Sequence, residues 1–198
     1  MRKPIIACVI GLTLLSGSQA WAGITAIDFE SLASQEVVDD QFLGLGADFN
    51  ASARVLSLSE GTLDPDYPPY SGDKVISDNP LSGTGIIRID AIGSLWSMAG
   101  AYVTGSASVT LTAYACDSSV LGNASTGGAN RISDRTGLPP NIFLSVNAPN
   151  IAYVEFSDTG NEYTVDGVRY QPIPAPGAIL LGSIGIGFVG WMRKHRAF

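Results

Sequence analysis

The stretch from Gly23 to Gln171 contains no histidine; the chain's one histidine, His195, stands close to the C-terminus. A Ser-His-Asp hydrolytic arrangement needs that base. A zinc site needs several His or Cys ligands, and Cys116 is the only residue of either type in this stretch. The glycine clusters carry no lysine and open no helix, so neither a P-loop nor a dinucleotide fingerprint is present. Carboxylates and aromatic rings remain. Glu30, Glu36, Glu60, Glu155 and Glu162 are the candidates for the acid/base pair of a glycosidase, although any acidic domain offers such pairs. Residues 64–73, DPDYPPYSGD, form the most distinctive loop. Its prolines restrict the backbone, which would display Tyr67 and Tyr70 for stacking on sugar rings while neighbouring carboxylates bond hydroxyls; such rings lose little entropy on binding. A tyrosine beside prolines can equally fold back on its own loop.

These residues need a framework, and the hydropathy pattern indicates sheet. Residues 107–114, ASVTLTAY, are apolar at odd positions and polar at even ones. Residues 24–30, 54–58, 87–90, 142–146, 151–156 and 163–170 carry similar period-two patterns. Turn residues fall between them at 127–128, 147–150 and 158–161. Only residues 31–42 and the C-terminal apolar run have any helical claim. Short strands separated by Gly, Asn, Asp and Pro predict an all-β fold, an antiparallel β-sandwich or jelly roll with one buried face per strand.

That framework suggests one metal. Calcium takes six to eight oxygen ligands, and pairing the first strand with the last would bring Asp28 and Glu30 toward Asp166. Three solvated carboxylates are the plainer alternative, and no EF-hand loop supports calcium.

The two ends have a different character. Met1-Arg2-Lys3, an apolar run to Leu15 and the small-x-small site Ala20-Trp21-Ala22 make residues 1–22 a secretory signal peptide. Cys8 would leave with it, so the mature chain would have no internal disulfide. Residues 171–177, QPIPAPG, exclude a regular helix. Fifteen uncharged residues, Ala178 to Met192, then precede Arg193, Lys194, His195 and Arg196. As a helix this run reaches only about 22 Å at about 1.5 Å per residue, short of a hydrocarbon core of about 30 Å unless flanking residues snorkel. Basic residues at both extremes stay on the cytoplasmic side, which places the intervening body outside. Gly182, Gly185, Gly187 and Gly190 suit close approach of a partner helix.

All eighteen acidic residues lie in the body, residues 23–171, against six basic ones: Arg54, Lys74, Arg88, Arg131, Arg135 and Arg169. The body thus carries a formal charge of −12. This disfavours nucleic acid and anionic lipid as its partners.

Pro174-Ala175-Pro176, the glycine-rich apolar run and the basic cluster Arg193, Lys194 and Arg196 resemble the PEP-CTERM sorting signal of exported Gram-negative proteins, with Ala175 where that motif has Glu. The resemblance covers residues 172–198. It implies a transmembrane sorting helix read by an exosortase-type processing enzyme, passage through the inner membrane, and a destination at the cell envelope, the outer surface or the extracellular matrix. A permanent, uncleaved anchor is the alternative. The body also resembles the jelly-roll ectodomains that precede such tails, at residues 28–30, 41–42, 45–49, 111–114, 141–144 and 165–168. The expectation is a non-enzymatic secreted protein associating with exopolysaccharide. A carbohydrate-active enzyme with a carboxylate pair is its rival.

Overall fold

The computed structural model describes residues 23–81, 84–160 and 162–174. The signal peptide, Ala175, Pro176, the apolar run and the basic residues Arg193, Lys194 and Arg196 lie outside the described residues. Among the described residues no helix is long and apolar enough to cross a membrane.

The chain is all-β. In order its strands are β1 (Thr25–Ile27), β2 (Val37–Val38), β3 (Ala47–Asp48), β4 (Ala53–Ser57), β5 (Lys74–Asp78), β6 (Ile87–Ala91), β7 (Trp96–Gly105), β8 (Thr110–Tyr114), β9 (Val120–Ser125), β10 (Ile142–Ile151), β11 (Tyr153–Ser157) and β12 (Tyr163–Pro172). They form two antiparallel sheets. The larger runs β10-β7-β12-β5-β4-β2, with β1 also on β12; the smaller runs β3-β6-β11-β8-β9. Strand β12 is paired along one side by β7. Its other side is shared, with β1 on the C-terminal half through Thr25 opposite Tyr170 and β5 on the N-terminal half through Ile76 opposite Val165. First and last strands therefore lie together.

Alternation along the strands explains how one core serves both sheets. Val55, Ile76, Val103 and Val165 of the larger sheet join Ile87, Ile89, Leu111, Val154 and Phe156 of the smaller in a single buried cluster. Burying such side chains is the main favourable term of folding, about 1.5–3 kcal/mol for each large aliphatic one. Tyr163 spans the two sheets. It is buried on β12, donates to Phe156 O at 2.7 Å and accepts from Ile87 N at 3.0 Å.

Residues 31–42 correct the helical expectation. They form turns and the two-residue strand β2. Gln35 has φ +68°, outside the right-handed helical region. Glu36 Oε2 takes the Ala33 N–H at 2.7 Å, and Val37 and Val38 pair with Arg54 and Ala53. The turn expected at 147–150 is an irregularity within β10, where the register to β7 shifts between Asn147 and Ile151.

A second, smaller core lies on the outside of the larger sheet. Val75 and Leu56 point outward there and are covered by Leu63 and Tyr67. The segment between β4 and β5 has folded back over half of that face.

Candidate functional site

The proline loop does different things with its two tyrosines. Tyr67 is buried against Leu63 and Val75, so it is not displayed. Its hydroxyl lies 3.4 Å from both Glu162 Oε2 and Arg131 Nη1, and burial is the main reason its pKa is raised. Turns hold the loop: Asp66 N donates to Asp64 Oδ1 at 2.9 Å, and Asn141 Nδ2 donates to Pro68 O at 3.0 Å. Tyr70 emerges at the loop's edge. It stacks face to face on Tyr102 of β7, with ring centroids 3.4 Å apart and planes 7° from parallel.

Tyr102 is the centre of an aromatic row. Cross-strand pairing sets Phe143 of β10 directly opposite it, with ring centroids 4.9 Å apart. The Arg169 guanidinium of β12 lies 5.3 Å from the Tyr102 ring and 5.8 Å from the Phe143 ring, within cation–π range. Tyr70 and Phe143 remain 44% and 39% exposed, enough for a ligand to reach both. The neighbouring outward positions on these strands are Ser145, Asn147, Met98 and Gln171. Beside Tyr102 the Tyr70 hydroxyl is the largest influence raising its pKa, so the ring remains neutral at ordinary pH.

Two glycines shape this surface. From Asp166 to Arg169 the chain advances three residues while the paired β7 residues, Tyr102 and Gly100, are only two apart. This bulge lets both Asp166 and Arg169 point outward. Gly167 takes the extra residue's left-handed conformation at φ +54°, and a Cβ there would sit 3.2 Å from the Tyr102 ring and 3.5 Å from that of Tyr70. At Gly100 a Cβ would collide with Leu144 O and come within 3.0 Å of Phe143 Cζ. The rings rest where side chains are missing.

The three carboxylates expected at a calcium ion are engaged by the backbone or exposed. Among the described residues no group of three or more His, Cys, Asp or Glu is placed to hold a metal ion. Asp28 is exposed, and Glu30 Oε1 accepts the Asp73 and Lys74 N–H groups at 3.0 and 2.9 Å. Asp166 is buried beneath the loop, where Oδ2 takes Ser71 N at 3.0 Å and Oδ1 takes Gly167 N at 2.6 Å. Burial pushes its carboxyl above the usual range. Pairing of β1 with β12 brings the carboxylates to the same region, but backbone amides use their oxygens and fasten the loop.

The five glutamates are similarly dispersed. Glu30 holds the proline loop, while Glu36 accepts from Ala33 N and Gln41 Nε2. Glu60 is exposed in the turn after β4. Glu162 stands 3.7 Å from Arg131 and lines a cavity of about 330 Å³. Glu155 is on the outer face of the smaller sheet, 3.9 Å from Arg88, beside a separate cavity of about 550 Å³. That outer face has its own ring pair, Tyr114 on Tyr153, but Arg88 lies 3.7 Å over Tyr153 and closes it. Cys116 is exposed and unpaired in a disulfide.

Tyr102, Phe143 and Arg169 were not among the candidate site residues that the sequence offered. Phe143 carried a signal: with Ile142 and Leu144 around it, an apolar ring stands where the alternation asks for a polar residue. No protein-family model matches the chain, and no curated protein matches it significantly.

Proposed function

We propose that this protein is a non-enzymatic, exported jelly-roll module, sorted by a PEP-CTERM-type tail toward the cell envelope or extracellular matrix, where it associates with exopolysaccharide. The carrying observation is the open half of the larger sheet, with Tyr70 on Tyr102, Phe143 beside them and Arg169 above. Exposed apolar surface rimmed by polar groups marks an interaction site. Pyranose rings offer C–H faces that pack on aromatic faces, and their hydroxyls bond to hydroxyl, amide and guanidinium groups. Ser145, Asn147, Gln171 and Arg169 supply those groups around the rings. The stacked Tyr70–Tyr102 pair is already ordered, so binding loses little side-chain entropy.

Affinity electrophoresis of the protein through gels containing purified exopolysaccharide tests this. Tyr102→Ala and Phe143→Ala should each weaken retention by about 3- to 10-fold, as expected for loss of one aromatic contact of about 1 kcal/mol. Tyr114→Ala, on the other sheet, should migrate as wild type does. Unchanged retention in the first two variants contradicts the proposal. Glycoside turnover abolished by Glu155→Gln or Glu162→Gln would make the protein an enzyme instead.

A further inference from the structure

The body's first and last described residues leave it at one end. Thr25 pairs with Tyr170, so Ile24 and Pro172 are neighbours at the β1/β12 edge. Two turns adjoin them. Residues 43–46 carry Leu43 and Leu45, and residues 92–95 carry Ile92. The turns are joined by Ile92 N donating to Gly46 O at 3.0 Å, and they are fastened to the exit strand by the Tyr170 hydroxyl on Leu45 O and by Ile173 N on Leu95 O at 2.7 Å. Ile24, Leu43, Leu45 and Ile92 are 60, 41, 50 and 39% exposed. Leu43, Leu45 and Ile92 line a groove of about 490 Å³, together with Trp96, Pro172 and Ile173.

We propose that this end of the body is a membrane-contacting surface, whose apolar rim enters the interface of a zwitterionic bilayer while the chain is tethered. The inference rests on reading residues 1–22 and 172–198 as membrane-directed segments. Three observations carry it. Both segments join the body at this end, four large aliphatic side chains are exposed there, and the groove is lined by residues 172–174, the last described before the apolar run in the sequence. Neither turn contains a basic residue, so contact is made by apolar insertion rather than by attraction to anionic headgroups. Removing those side chains from water drives it.

The full chain, reconstituted in phosphatidylcholine vesicles containing spin-labelled acyl chains, provides the test. Environment-sensitive dyes are placed singly at Leu45→Cys, Ile92→Cys and Thr159→Cys in a Cys8→Ser, Cys116→Ser background; all three sites are exposed. Thr159 lies in the turn between β11 and β12, at the opposite end of the body. The expected result is flotation with the vesicles, with blue-shifted emission at 45 and 92 that the spin label quenches, and water-like emission at 159. Flotation with water-like emission at 45 and 92 overturns this proposal and leaves the tether intact. A blue shift that lipid spin labels do not quench means that the chain's own segment 178–192 covers the rim, which also overturns it. A chain that fails to float refutes the tether reading, and this inference with it.

Discussion

At the scale of single residues, the fold depends on polar groups placed where no water replaces them. Tyr163 is the clearest case, because one hydroxyl serves the Ile87 N–H and the Phe156 carbonyl across the two sheets. Tyr163→Phe leaves both without that partner and should destabilise the protein by about 1–3 kcal/mol, read as a lower urea midpoint with unchanged slope. Asn130 acts similarly in the connection between β9 and β10: its side chain accepts from Gly105 N and donates to the Val103 and Pro139 carbonyls. Asp166 has a pH signature of definite sign. Its pKa is raised by burial, so the neutral form is favoured in the folded state. Its contribution to stability is complete below the ordinary aspartate range and is lost as pH rises through the folded value. Asp73 has the opposite sign, since the Ser57 and Ser59 hydroxyls lower its pKa; its contribution is present at neutral pH and is lost on acidification. Unfolding free energies measured between about pH 3 and 7 should show wild type losing stability relative to Asp166→Asn as pH rises. A difference independent of pH contradicts the assignment.

At the scale of elements, legibility followed how many faces of a strand are covered. In β8, Leu111 and Ala113 are buried while Thr110, Thr112 and Tyr114 are only partly so, and the pattern was visible. In β5 the proline loop covers the outer face. Val75 and Ile76 are therefore both buried, and period two disappears. Strand β7, WSMAGAYVTG, lies between β10 and β12, and its small residues give no contrast between faces. The site was half legible for a related reason. Tyr70 stood out beside its prolines, but Tyr102, Phe143 and Arg169 meet only through strand order, which a linear pattern does not contain. Gly167 links local geometry to the site. Gly167→Ala forces a side chain into a left-handed conformation, costing about 1–2 kcal/mol, and crowds the Tyr102 ring. Unfolding and retention measured together should show both effects; retention unaffected would mean the ring geometry does not matter.

At the scale of the whole molecule, the larger sheet's outer face is divided. The proline loop covers β4, β5 and Asp166 of β12, while the part that carries Phe143 and Arg169 stays accessible, with Tyr70 at the border. The body charge of −12 gives no bulk attraction to an anionic ligand, so the proposed binding rests on the rings and their rim. The outer face of the smaller sheet, where Arg88 covers Tyr153, is the internal control. Backbone amide chemical-shift mapping with an exopolysaccharide oligosaccharide decides between them. Perturbations are expected at Gly100, Tyr102, Phe143, Ser145 and Arg169, with Thr112, Tyr114 and Glu155 unmoved. Perturbations confined to the smaller sheet, or none at saturating oligosaccharide, would contradict the proposed binding.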